Sequence, residues 1–202
     1  MKQDETRRKL IDGTIRIVAR DGLDKATTKQ ISTETELNEV YIYRCFKDKE
    51  DMLAKAFCSL DEELVEKALL HISVMNVKGL TRRERCRFFF LAVWRFLLSN
   101  RSKCLAFIRY YYSPYFQKYS AAEHKKRYEP VVEKIAVAFR KEANVWMILN
   151  HVLTTMLDFS VKVFDGAVPD NDDTSEHVFR LIYQSVSQYF ETEEIGGEKI
   201  SV

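Results

Sequence analysis

A chain of 202 residues, 46% hydrophobic and 31% charged, has room for one or two packed domains. Six Gly and three Pro are too few for a turn-rich sheet protein, so the expected fold class is all-α, with about nine helices. A net charge of +2 offers little non-specific attraction to nucleic acid, so any DNA affinity must come from placed contacts.

Four cysteines (Cys45, Cys58, Cys86, Cys104) lie far apart without a C-x-x-C pair, and four histidines (His71, His124, His151, His177) show no ligand spacing. No metal and no cofactor is therefore expected. No nucleophile–base pair or phosphate loop is visible either, so the chain does not read as an enzyme. The charged start, MKQDETRRKL, has no signal-peptide core behind it, and the apolar run Phe88–Trp94 is too short to span a bilayer. The expected location is the cytoplasm, without a membrane partner.

In chain order, Leu10, Ile11, Thr14, Ile15 and Val18 recur at helical spacing and predict a first helix over 4–20, closed by Gly22. A short second helix, about 29–35, is capped by Thr27 or Thr28, and a third covers about 39–46. Asp48 is the expected N-cap of a fourth, long helix reaching His71. A fifth, 81–99, is apolar nearly all round between Phe88 and Leu98 and belongs in the centre of its domain. A sixth covers 103–112 and breaks near Ser113, ahead of Pro114. The seventh, 121–141, holds Pro130 as a point of kinking or splitting. The eighth runs over 144–164, and the ninth is capped by Thr174 or Ser175 and continues to Phe190. The polar tail from Glu191 is expected to fray.

Thr27 to Leu53 is the stretch that specifies a function. Two short helices joined by a tight turn are the framework of a helix-turn-helix DNA reader. Arg20-Asp21-Gly22, then Thr28 and Ile31, and above all Ile42-Tyr43-Arg44-Cys45-Phe46-Lys47-Asp48-Lys49-Glu50-Asp51-Met52-Leu53, resemble the DNA-binding domain of the TetR family of transcriptional regulators. The resemblance covers about residues 5–55. It implies a helix-turn-helix domain over 1–48 and a ligand-binding and dimerisation domain over 49–202. It further implies a homodimer on a palindromic double-stranded DNA operator, usually a repressor, released by a small-molecule effector. Thr28, Tyr43 and Lys49 are suited to phosphate contacts, Glu39, Val40 and Tyr41 occupy the leading turn of the recognition helix, where side chains meet base edges, and Arg44 is a further DNA-binding candidate on that helix.

The chain departs from the family in two ways. Thr35 and Glu36 stand in the turn where a small residue and a glycine are common, and Glu39 puts an acid near phosphates. Residues 1–50 carry eleven basic and ten acidic side chains, a balance of only +1. A helical ligand-binding or interaction module that has lost DNA binding is the competing reading.

Beyond Leu53 the sequence specifies a scaffold. Phe89, Trp94, Phe107, Tyr110, Tyr111, Tyr115 and Trp146, with Asp158 as a polar contact, are candidates to line an effector pocket. Taken residue by residue, ordinary core is the favoured reading of the aromatics, and a salt bridge or solvated position that of Asp158, whereas the aromatics as a group suggest a pocket. The eighth and ninth helices are the expected dimer surface.

Overall fold

The computed structural model describes residues 3–195 and 198–200. Ten α-helices occur among them: α1 (Gln3–Asp21), α2 (Thr28–Thr35), α3 (Val40–Cys45), α4 (Lys49–His71), α5 (Arg82–Ser99), α6 (Arg101–Tyr111), α7 (Pro114–Tyr119), α8 (Ala121–Ala136), α9 (Val145–Phe164) and α10 (Asp172–Ser187). A 3-10 turn, Ile72–Asn76, follows α4. In the tail, where fraying is expected, β1 (Glu193–Ile195) pairs antiparallel with β2 (Glu198–Ile200). The fold is all-α apart from this hairpin.

Capping chemistry fixes most helix boundaries. Thr27 accepts from the Gln30 amide at the start of α2, and Asp48 accepts from the Asp51 amide at the start of α4. Asp51 reciprocates by accepting from the Lys47 amide, 3.1 Å away, a capping-box arrangement. Asn144 caps α9.

Two expectations need correction and one an addition. α10 starts at Asp172 because the Asn171 side-chain Oδ1 takes the Thr174 amide at 2.9 Å; Thr174 and Ser175 are inside the helix. The expected break near Ser113 is present, and Pro114 in addition opens a separate helix, α7, since a proline at the first helical position loses no hydrogen bond. Pro130 lies inside α8, which is continuous from Ala121 to Ala136.

The chain forms two compact units: Met1–Leu64 with Asn100–Arg127, and Val65–Ser99 with Tyr128–Val202. In the first, α1 packs on α2, α3 and α6. Leu10, Ile17, Ile31, Ile42, Met52, Leu53 and Phe57 are its fully buried centre. Gly13 lets α1 and α2 meet: a Cβ there would lie 2.2 Å from Thr35 Cγ2. Arg109 on α6 donates to the Val18 carbonyl near the end of α1 at 2.7 Å, and Lys103 pairs with Glu63 of α4 at 2.6 Å.

Most of the predicted aromatic group lies in this unit as packed core. Phe57 stacks on Tyr110 at 4.8 Å, and Phe107, Tyr111 and Phe116 surround His124. Inside that ring lies a buried polar pair. Asp61, fully buried, accepts from His124 Nδ1 at 2.9 Å and from Arg127. A carboxylate oxygen accepts only, so Nδ1 carries the proton of that bond. Burial pushes the thiol of Cys58 up to about 11 and that of Cys104 up to about 12, which makes both poor nucleophiles at neutral pH.

In the second unit α5 packs on α9 and α10. Phe90 stacks on Trp94 and touches Phe179. Beyond α8, an isolated antiparallel bridge joins Phe139 to Phe190. Arg82 donates to the Glu191 carbonyl and lies over the Phe190 ring, 5.1 Å from its centroid.

Candidate nucleic-acid interface and effector cavity

α3 is six residues long, too short to hold a helix on its own. Its surroundings hold it. Ile42 is 1% exposed and Phe46, which follows it, 3%. Asn38 accepts from the Val40 amide at 2.9 Å and sets the N-terminal turn, whereas Glu39, at the cap position, makes no side-chain capping bond. Arg7 of α1 donates to the Cys45 carbonyl at 3.1 Å and covers the Phe46 ring.

The turn before α3 closes on backbone bonds. The Leu37 amide reaches the Ser32 carbonyl at 3.1 Å and the Glu36 amide reaches that of Thr33 at 3.3 Å, a Schellman pattern. Glu36 takes φ +54° there, the one non-glycine residue at positive φ among the described residues. This is the position where the sequence carries an acid in place of the expected glycine.

With Ile42 turned inward, Val40, Tyr41, Tyr43 and Arg44 are left on the surface, Tyr43 at 64% exposure and Val40 at 52%. Arg44 lies over the Tyr41 ring at 5.6 Å, a stacking that presents guanidinium and phenol together. Thr28 is the first residue of α2 and Lys49 the first of α4, each half-buried, and Glu39 is half-buried beside them. The seven predicted contact residues thus sit on α2, α3, the turn between them and the start of α4, all in the first unit.

Other charges nearby are engaged. Glu34 accepts from Arg16 at 2.7 Å and from Arg20 at 3.1 Å, and Arg20 also pairs with Asp21. The Arg16 bond foremost, opposed by the cost of burial and joined by the bond to Arg20, holds the Glu34 carboxyl below its usual range. Asn38 and Arg7 are the neighbours of this surface that the sequence reading did not single out. Only Asn38, a strong helix-capping residue two positions ahead of an apolar helix, carried a signal.

The second unit contains an apolar cavity of about 100 Å³ between α5, α8, α9 and α10, walled by Phe90, Ile148, Val152, Met156, Phe179 and Val186 and closed at one side by Phe139 and Phe190. Of the eight predicted pocket residues, Phe89 lines it. The other seven lie elsewhere. Trp94 is buried in the same unit, and Phe107, Tyr110 and Tyr111 pack in the first unit. Tyr115 stacks on Tyr119, and Trp146 meets Tyr128 edge-on. Asp158 is 61% exposed and paired with Lys162 one turn on, a surface ion pair. Helical spacing of aromatics marked core, and the cavity is walled mainly by aliphatic side chains and phenylalanines brought together from distant segments. Among the described residues no group of three or more His, Cys, Asp and Glu is placed to hold a metal ion.

The sequence model of the bacterial regulatory proteins of the tetR family matches residues 10–56. The nicotine-responsive transcriptional repressor HdnoR of Paenarthrobacter nicotinovorans is 31% identical over 61 residues, 30% of this chain and 31% of the relative's length. A TetR family transcription regulator from Marinobacter aquaeolei VT8 has the same fold, with a TM-score of 0.75 at 18% identity over 92% of this chain and 98% of its own. The regulator FadR of Bacillus subtilis, solved with stearoyl-CoA, follows at TM-score 0.66 and 18% identity, over 87% of this chain and 96% of its own. Residues 10–56 thus match the tetR-family helix-turn-helix domain, and nearly the whole chain shares the fold of solved TetR family regulators.

Proposed function

We propose that the protein is a cytoplasmic, ligand-released repressor that binds a palindromic operator as a homodimer. The observation that carries this reading is the surface of α3. Val40, Tyr41, Tyr43 and Arg44 project outward while Ile42 and Phe46 anchor the helix, an arrangement a purely structural hairpin does not require. Tyr43 and Lys49 contact the phosphate backbone together with Thr28, and Glu39, Val40, Tyr41 and Arg44 read base edges, Glu39 by accepting from a cytosine amino group. Residues 1–48 together with Lys49 carry these contacts, and the remainder of 49–202 provides the effector site and the dimer surface.

α9 and α10 are the proposed dimer helices. α9 is the one helix among the described residues long and apolar enough to cross a membrane, yet only 28% of its most apolar window is buried within the chain. Met147 on α9 and Leu181 on α10 are both more than half exposed. A second copy laid against the pair would cover this surface. Effector and operator then favour different spacings of the two recognition helices, and by linkage each weakens the binding of the other.

The test is a footprint on the DNA flanking the protein's own coding region. A protected palindrome with half-sites about one helical turn apart is the expected result. No protection even at low salt would refute the reading. Glu39→Gln separates the two kinds of contact: it should change the preferred sequence, whereas a phosphate contact would weaken binding on every sequence alike.

A further inference from the structure

We propose that the cavity of the second unit takes an uncharged, hydrocarbon-like molecule the size of a single substituted ring or a short alkyl group. The assignment rests on reading that unit as the effector domain, and it names the chemistry of the effector.

The lining itself carries the argument. The heteroatoms its side chains bring are the Met75 and Met156 thioethers, the Cys86 thiol and the Tyr183 hydroxyl; every other lining side chain is Phe, Ile, Leu or Val. Not one lining residue is Asp, Glu, Lys, Arg or His. An ionised ligand would lose its hydration there without a counter-charge, a cost no apolar wall returns. The neighbouring cations are committed: Arg82 to the Glu191 carbonyl and the face of Phe190, Arg140 to the Phe190 carbonyl at 3.1 Å, and Arg83 to Glu176 and the face of Tyr183. Size sets the other bound. The cavity is about 100 Å³. An apolar cavity of about 150 Å³ elsewhere stays dry and binds benzene or xenon. Here Met75, Met156 and the rings of Phe139 and Phe190 form part of the wall, and flexible thioethers give way readily to a slightly larger guest.

Toluene, benzoate and benzylammonium share a phenyl ring and differ in charge, and neutral ethylbenzene and nitrobenzene match the two ions in size, so together they form the probe set. The experiment is a thermal-unfolding titration of the full-length protein with each, together with intermolecular NOEs from the toluene ring. Toluene is expected to raise Tm by several degrees at saturation and to show NOEs to Ile148, Val152 and Met156. Both ions should bind at least about 100-fold more weakly than the neutral probes of matching size. Val152→Trp fills the space and should abolish the toluene response while the helical circular dichroism is retained. Equal or tighter binding of benzoate overturns the assignment, and so do toluene NOEs confined to residues outside the cavity. The NOEs decide the matter even if the tryptophan variant misfolds. Failure here is distinct from failure of the repressor reading, because the titration contains no DNA. Toluene seated in the cavity without any loss of operator protection would remove its effector role and leave the site assignment standing.

Discussion

Glu36 is the sharpest point at which to test the reasoning. It occupies the left-handed region at φ +54°, where a Cβ is crowded against its own backbone, at a cost of roughly 1–2 kcal/mol for an L-residue. Glycine escapes that cost but brings a more flexible unfolded chain, worth roughly 0.4–1 kcal/mol against it. The bonds that close the turn, Leu37 to Ser32 and Glu36 to Thr33, are made by backbone amides and survive the change. Glu36→Gly should therefore stabilise the protein by about 0.5–1 kcal/mol, raising Tm by about 1–3 °C for a chain of this size. Glu36→Asn should gain a smaller part of this, since asparagine tolerates the left-handed region. Glu36→Gln keeps the strain and removes the charge, so its Tm should stay near that of the parent. Operator affinity sorts the same variants differently. Gly, Asn and Gln each remove one negative charge per protomer beside the recognition helix, and all three should tighten binding at low salt by a similar factor. Differential scanning calorimetry and a salt-controlled mobility shift read the two effects separately. A Gln variant as stabilised as the Gly variant would refute the backbone argument and assign the effect to charge. Destabilisation by glycine would show that the Glu36 side chain supports the turn.

Gly13→Ala places a Cβ 2.2 Å from Thr35 Cγ2 and should cost about 1–3 kcal/mol by calorimetry; Thr35→Ser, which deletes that methyl, should restore most of the loss in the double variant. Asp61→Ala strands buried His124 and part-buried Arg127 and should cost about 3–5 kcal/mol in urea unfolding, whereas Asp61→Asn, which retains an acceptor, should cost less. Glu34 has its carboxyl pKa held below the ordinary 4.5, so its ion pairs stabilise the fold above that value and their contribution is lost as pH falls through the lowered value. An acid unfolding profile should show this loss, weakened by salt and absent in Glu34→Gln. Tyr43→Phe and Lys49→Ala should each weaken DNA binding several-fold on all sequences while leaving Tm within about 1 °C, measured by mobility shift and calorimetry.

What was legible in the sequence was what neighbours in sequence decide. The stripe of α1, the Thr27 cap, the Asp48 cap and the inward Ile42 and Phe46 all follow from spacings of a few residues, and these fix the candidate DNA surface. Departures arose where one residue type supports two outcomes. Pro114 stops one helix and starts another, and Asn171 wins the cap from Thr174 and Ser175 because its side-chain Oδ1 reaches the Thr174 amide. The Asp61–His124 pair spans 63 residues and the cavity collects side chains from Met75 to Phe190, so neither leaves a local pattern. The aromatics of 107–116 were conspicuous as a group, yet Phe107, Tyr111 and Phe116 among them pack around His124 of a buried polar pair.

The packing of the first unit bears on how a ligand signal could reach DNA. α3 takes its position from α1, through Arg7 at the Cys45 carbonyl, and from the apolar seat of Ile42 and Phe46. α1 is in turn tied to α6 by Arg109 at the Val18 carbonyl. α4 is tied to α6 by Lys103 and Glu63, and to α8 by the Asp61–His124–Arg127 cluster. A boundary at residue 48 would separate most of the proposed DNA contacts from the rest of the chain, but the packing does not end there. Whatever displaces the recognition helix must carry residues 3–64 and 100–127 as one body or break these polar ties. Breaking the buried ones is the costlier course, by several kcal/mol. The chain leaves this unit inside α4, after Leu64, and inside α8, after Arg127.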